Sequence, residues 1–348
     1  MKDEKYIHMT HVLAEKGRGF TSPNPMVGAV VVKGNKILAK SYHKIFGGSH
    51  AEVIALHACG DQARGATLYV SLEPCCHYGK TPPCTDLIIQ SGIKRVVCST
   101  IDPNPLVNGN GIRKLKKAGI EVNVGILEEE AKKLNEAYFK YITTGIPFVT
   151  LKAAGTLNGK VSSVYEDTVP VDFDAILWDV DKINPPHLNP LPCGERKTCI
   201  KYSKIILLGT WNDISNCLRK LKSIEYQNII LTPIDDQTNV VKRNIKFDIW
   251  KLNKRKNGEL DFRSFLKKCG GEGIASLVVE AGKEILTSFL KQKLADKIWY
   301  EVSLDVSNQG EELFGDLGIK KMSDAVVLKN CEWKQSGNSL VVVGYPEF

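Results

Sequence analysis

No stretch of this chain stays apolar for long enough to span a bilayer. Its first residues, Met1-Lys2-Asp3-Glu4-Lys5, also lack the apolar core of a secretory signal. A membrane partner is therefore not expected, and a cytoplasmic location is. Internal repeats and low-complexity tracts are absent, which excludes a solenoid and a disordered linker. There is no Lys/Arg block interleaved with aromatics, so bulk charge alone favours neither an RNA nor a phosphorylated small molecule; no nucleic-acid partner is expected. Without secretion, a disulfide framework is also excluded. The ten cysteines are expected to be reduced thiols, and metal binding best explains those that cluster.

At 348 residues the chain is long enough for two domains with separate cores. Its hydrophobic (43%) and charged (25%) fractions are those of a soluble globular protein. The net charge of +8 is uneven: residues 1–146 hold 19 Lys/Arg against 13 Asp/Glu, and the remainder 28 against 26. That excess in the first part suits a phosphorylated small molecule or an RNA; a solvated basic face is the plainer account of Lys114, Lys116 and Lys117.

Apolar spacing predicts a helix over Lys5–Lys16, then β-runs Met26–Val32 and Lys36–Tyr42 around a Gly34-Asn35 turn. A helix follows over Ala51–Ala58, stopped by Gly60. Strand Thr67–Leu72 ends at Glu73-Pro74, and a helix begins at Cys84. Strands Lys94–Ser99 and Ile120–Val124 with helices Gly111–Ala118 and Glu128–Tyr141 complete an α/β unit with helices on both sheet faces. Thr143-Thr144-Gly145-Ile146-Pro147 reads as a junction, giving domains 1–145 and 146–348. Beyond it, strands are expected at Phe148–Ala153, Lys204–Leu208, Asn228–Leu231, Leu277–Glu280, Ile298–Val306 and Leu340–Val343. Helices are expected at Asp261–Lys268 and Lys283–Lys291, and Asn184 to Glu195 reads as loop.

The chemistry concentrates in His50-Ala51-Glu52, Pro74-Cys75 and Cys84. Imidazole and thiolate suit zinc, and three protein ligands leave a fourth position for water. Zinc brings such a water's pKa close to neutrality. Glu52, two residues after the histidine on the first turn of a helix, is not needed as a ligand and can shuttle a proton. The pattern resembles that of zinc nucleobase deaminases, whose signature closes with Cys-x-x-Cys. Here Cys75 is followed by Cys76 and then Cys84. Adjacent side chains diverge along the chain, so His50, Cys75 and Cys84 are the expected ligands and Cys76 a bystander. His43 and His77 are better read as surface or supporting groups than as ligands. The remaining cysteines read mostly as small buried hydrophobes.

Four segments together closely resemble one family, the bifunctional RibD enzymes of riboflavin biosynthesis. They are Asn24-Pro25 with Val27-Gly28; Gly48-Ser49-His50-Ala51-Glu52; Ser71-Leu72-Glu73-Pro74-Cys75; and Gly79-Lys80-Thr81-Pro82-Pro83-Cys84. Asp102-Pro103-Asn104-Pro105 is similar as well. The resemblance implies a cytidine-deaminase-like three-layer α/β/α domain followed by a dihydrofolate-reductase-like α/β domain. It implies zinc-dependent deamination of 2,5-diamino-6-ribosylamino-4(3H)-pyrimidinone 5′-phosphate, followed by reduction of the ribosyl group with NADPH. Asn24, Lys80 and Thr81 become substrate contacts; a turn-forming asparagine and a solvated turn are the competing readings. The partners implied are a phosphorylated pyrimidine and, in a homo-oligomer, further copies of the chain.

In the second domain, Leu151-Lys152 and Thr156-Leu157-Asn158-Gly159-Lys160 resemble the reductase entry motif, with Asn158 where the family has Asp. Val279-Glu280-Ala281-Gly282 is similar too, which makes Glu280 a substrate contact and Ala154 and Gly282 cofactor contacts. Between Lys160 and Leu191 the segment is shorter than the family's, and an expected arginine is replaced by Leu191. A lysine does not reproduce the bidentate grip of arginine on phosphate. Two alternatives therefore stand beside the main reading: a purely structural C-terminal domain, and an RNA-editing deaminase.

Overall fold

The computed structural model describes residues 2–79, 82–161, 173–180, 204–220, 229–235 and 247–348. The chain divides into two compact units, Met1–Gly145 and Ile146–Phe348.

The first unit opens with helix α1 (Lys2–Ala14), which starts three residues earlier than its periodicity predicts and also buries Ile7 and Thr10. Strands β1 (Gly28–Lys33) and β2 (Lys36–Tyr42) form the expected antiparallel hairpin, with Gly34 at φ 60° in its turn. Strands β3 (Thr67–Val70), β4 (Arg95–Cys98) and β5 (Glu121–Val124) complete a sheet of order β2-β1-β3-β4-β5. β1 runs antiparallel to β3, whereas β3, β4 and β5 are parallel. Side chains alternate across a strand, so Val31, Leu68, Val70 and Val96 face helices α2 (Ala51–Cys59), α3 (Cys84–Gln90) and α4 (Asn110–Lys117). Val30, Val32, Tyr69 and Val97 face α1. Burial on both faces is why these strands read as unbroken apolar runs. At Gly28 a Cβ would sit 2.0 Å from the Thr10 carbonyl oxygen, so only glycine lets α1 lie this close to β1.

The single helix expected over Glu128–Tyr141 is instead two, α5 (Glu128–Leu134) and α6 (Glu136–Thr144). The break falls at Asn135, at φ −113° and ψ 24°. Its side chain is tied to distant backbone, accepting from Met26 N at 2.8 Å and donating to Met26 O at 3.0 Å. A tertiary contact thus overrides a continuous helical pattern.

Among the described residues, the second unit holds a nine-stranded sheet. Its strands are β6 (Phe148–Thr156), β7 (Ala175–Asp179), β8 (Lys204–Gly209), β9 (Ile229–Pro233), β10 (Phe247–Ile249), β11 (Ser276–Glu280), β12 (Lys297–Ser303), β13 (Val327–Ser336) and β14 (Ser339–Glu347), in the order β10-β9-β8-β7-β11-β6-β12-β14-β13. From β10 to β12 all pairings are parallel; β14 and β13 add antiparallel. Helices α8 (Phe262–Gly271) and α9 (Lys283–Lys291) cover one face and α7 (Trp211–Lys220) the other. β7, β10, β13 and α7 were not legible in the sequence, and the strand expected to reach Val306 ends at Ser303. Leu304 and Val306 are exposed beyond it. Both units are therefore α/β layers. Among the described residues, no helix is long and apolar enough to cross a membrane. Cys59, Cys98, Cys217 and Cys269 are buried as expected, but Cys331 is exposed on edge strand β13; Cys193 and Cys199 lie outside the described residues.

Candidate active site and metal centre

Three chain segments converge at one end of the first sheet. His50 is the N-cap of α2, held in extended backbone at φ −68° and ψ 157°. Cys84 is the first residue of α3, and Cys75 lies in the loop after β3. Helix starts favour anionic sulfur, because unpaired amide N–H groups gather there. His50 Nδ1 lies 3.2 Å from Cys84 Sγ and 3.5 Å from Cys75 Sγ, and the Cys84 amide donates to Cys75 Sγ at 3.3 Å. All three donor atoms fall within 4.8 Å of one another. Tetrahedral zinc places a nitrogen and a sulfur ligand about 3.5 Å apart, so the spacing fits that ion.

The protons of this cluster also suit a cation. The Cys84 and His50 side chains hydrogen-bond to the Cys75 sulfur and hold that thiol far down, at about 4. Reciprocally, Cys75 pushes His50 up to about 9 and, with burial, Cys84 well above the usual thiol range. These are shared protons that a divalent ion displaces on binding. Cys76 stands apart, its thiol directed at the Leu106 carbonyl.

Glu52 is 3% exposed, and burial raises its pKa. It lines a cavity of about 340 Å³ together with His50, Cys75, Asn24, His43 and Asp102. Asn24 Nδ2 is 3.3 Å from His43 Nε2, and His43 Nδ1 is 3.0 Å from the Ser49 carbonyl oxygen. With Nδ1 donating to Ser49, Nε2 accepts from Asn24 and leaves the Asn24 oxygen as that pair's acceptor. Burial lowers the pKa of His43, in keeping with a neutral ring. Lys80 and Thr81 lie outside the described residues.

A further part of the cavity lining, around Asp102, escaped sequence reasoning. Asp102 accepts from the Tyr138 hydroxyl at 2.9 and 3.2 Å and from the Asn104 amide at 2.9 Å. The Asp102-Pro103-Asn104-Pro105 turn was a visible signal, but its role was not. Behind it, buried Glu73 accepts from the amides of Asp102 (3.2 Å), Gly109 (2.8 Å) and Ile112 (3.1 Å), tying this loop to the Cys75 segment. At Gly111 a Cβ would come within 2.2 Å of the Pro74 carbonyl oxygen. Gly111→Ala is therefore expected to push Pro74-Cys75 out of place, costing about 1–3 kcal/mol and weakening zinc binding. Thermal melting and metal content check this; a variant matching the parent in both contradicts it.

Burial raises the pKa of Asp102 from its ordinary 3.8 to about 6. A folded-state pKa above the unfolded one favours folding most while the group is protonated in both states, below pH 3.8. That contribution drains away as pH climbs through 6. The shift corresponds to about 3 kcal/mol. Relative to Asp102→Asn, the parent should therefore lose denaturant stability between pH 4 and pH 7. Parallel pH profiles for the two proteins would refute the assignment.

In the second unit, Glu280 ends β11 and accepts from Lys152 Nζ at 3.0 Å and Trp178 Nε1 at 3.1 Å. Gly282 N donates to Asp179 Oδ2 at 3.1 Å as the chain turns into α9. Ala154 is buried on β6, paired with Glu301 of β12. These residues gather where parallel strands end, the usual ligand edge of such sheets. Asn158, where the family has Asp, clasps the following loop: its amide donates to Ser307 O at 2.8 Å and its oxygen accepts Ser307 N at 3.2 Å. An aspartate could make only the second bond. The segments in which the family's arginine and phosphate-binding helix were missed lie outside the described residues.

Comparison with known proteins gives these sites a setting. Residues 1–100 match the family described as cytidine and deoxycytidylate deaminase zinc-binding region. The riboflavin biosynthesis protein RibD of Aquifex aeolicus is 38% identical, over 98% of this chain and 97% of that protein. A crystal structure from Thermotoga maritima, described as a diaminohydroxyphosphoribosylaminopyrimidine deaminase/5-amino-6-(5-phosphoribosylamino)uracil reductase, is 32% identical. It superposes with a TM-score of 0.82, covering 99% of this chain and 98% of that one. RibD of Acinetobacter baumannii is 27% identical with a TM-score of 0.83 and 99% coverage of both chains. Similarity at this level over nearly the whole length means that the chain belongs to the RibD family of riboflavin biosynthesis proteins.

Proposed function

We propose that the first unit deaminates the diaminopyrimidine ribotide and that the second reduces its ribosyl group with NADPH. The observation carrying the first half is the meeting of two thiols and an imidazole, with His50, Cys75 and the buried carboxyl of Glu52 lining one cavity. His50, Cys75 and Cys84 hold zinc, which when bound lowers the pKa of a coordinated water towards neutrality. Glu52 accepts a proton as water adds to the amine-bearing ring carbon. It then returns protons to the ring nitrogen and the departing ammonia, so that C–NH₂ and water become C=O and NH₃. A carboxyl whose pKa is raised by burial can hold the proton between these transfers. Asn24, His43 and Asp102 orient the ring, and Lys80 with Thr81 contacts its ribose phosphate.

Full-length similarity to RibD proteins supports the second half, with Glu280 contacting substrate and Ala154 and Gly282 contacting NADPH. The deciding assay supplies the ribotide and follows ammonia release and NADPH oxidation separately. Ammonia without NADPH oxidation leaves the second unit structural, as its shortened segment would favour. Salt-sensitive RNA binding with no ammonia from the ribotide would instead favour the editing alternative. The same reading places the protein in the cytoplasm as a homo-oligomer, which light scattering tests.

A further inference from the structure

The match to the deaminase zinc-binding region ends at residue 100, yet the cavity draws Asp102, Asn104, Tyr138 and Tyr141 from beyond it. Two side chains at and just after the α5–α6 junction are tied to two separate chain segments that line that cavity or adjoin its lining. Asn135, 4% exposed, holds both polar atoms of the Met26 backbone, at 2.8 and 3.0 Å. Met26 directly follows Asn24-Pro25, which form one lining segment. Tyr138, 8% exposed, donates to both oxygens of Asp102, in the second lining segment. Asn135 is the N-cap of α6 and Tyr138 is its third residue, so both are carried by the start of one helix. The backbone N–H of Asn135 is bonded to the Ala131 and Lys132 carbonyls, which ties its backbone to the end of α5.

We propose that Asn135 and Tyr138 are positioning residues that set the width of the cavity and thereby the affinity for the phosphoribosyl-bearing pyrimidine. This rests on the deaminase reading above. Helix α6 acts as a spacer, with one clasp on each of the two segments, while the metal ligands and Glu52 belong to other segments. Losing either clasp frees one segment without altering the proton-transfer machinery. The effect should fall on KM and not on kcat.

The test uses the full-length, zinc-loaded protein with Tyr138→Phe and Asn135→Ala, assayed for ammonia release from the ribotide. Each variant is expected to raise KM about tenfold, the scale of a lost hydrogen bond to a charged or buried group, with kcat within about threefold of the parent and zinc content unchanged. Unchanged KM in both variants overturns the proposal. So does a fall in kcat accompanied by zinc loss, which would mark a merely structural role. If the parent itself releases no ammonia, the deaminase reading fails, and amide hydrogen exchange at Asn24 and Asn104 decides the clasps alone. Faster exchange in the variants upholds them, and unchanged exchange overturns them.

Discussion

Glu52→Gln should cut the deamination rate by about 10²–10⁴-fold while leaving zinc content at the parental level. The amide keeps the size of the carboxyl but cannot carry a proton from water to nitrogen. The side chain is 3% exposed and its ionised form is disfavoured by burial, so the chain gives up stability to keep a carboxylate there. Removing that burden should hold or raise the melting temperature, a pattern typical of functional positions. Steady-state ammonia release, metal analysis and calorimetry together check this. A Gln variant turning over as fast as the parent would sink the assignment of Glu52.

Zinc removal should have the larger effect on stability. The ligands come from the start of α2, the loop after β3 and the start of α3, three segments far apart in sequence that the ion would cross-link. An ion bound to the native state alone stabilises by about 4 kcal/mol when present at a thousand times its dissociation constant. For a unit of this size that corresponds to on the order of 10 °C in melting temperature. Chelation should therefore lower the first unit's transition by that much, and zinc should restore it. Cys84→Ser should melt low from the start and respond to neither treatment. A parent transition indifferent to chelator would mean that the three donors do not share an ion.

Much of the first unit was legible before folding. The β1–β2 hairpin, α2 and α3 follow from a glycine turn, a glycine stop and a short apolar run, all local signals. In the second unit, α9 was read over its full Lys283–Lys291 span for the same reason. Failures came where local signal and environment part company. β13 is an edge strand whose side chains are nearly all exposed, so it has no apolar alternation to detect. The break at Asn135 depends on Met26, 109 residues away. Cys331 is the exposed exception among the described cysteines expected to be mostly buried, because composition carries no information about sheet edges.

Which atoms can bind a metal is a property of residue type and spacing, and so His50, Cys75, Cys84 and Glu52 stood out in the bare chain. A helix start after a strand returns its first side chain to the same end of the sheet, whatever lies elsewhere. The part of the cavity around Asp102 has no such local rule. Asp102, Tyr138, Asn135 and Glu73 meet only because five strands and their flanking helices close around two cores, bringing together groups up to 109 residues apart. Their hydrogen bonds form only after distant segments have packed, and no window along the chain contains both partners.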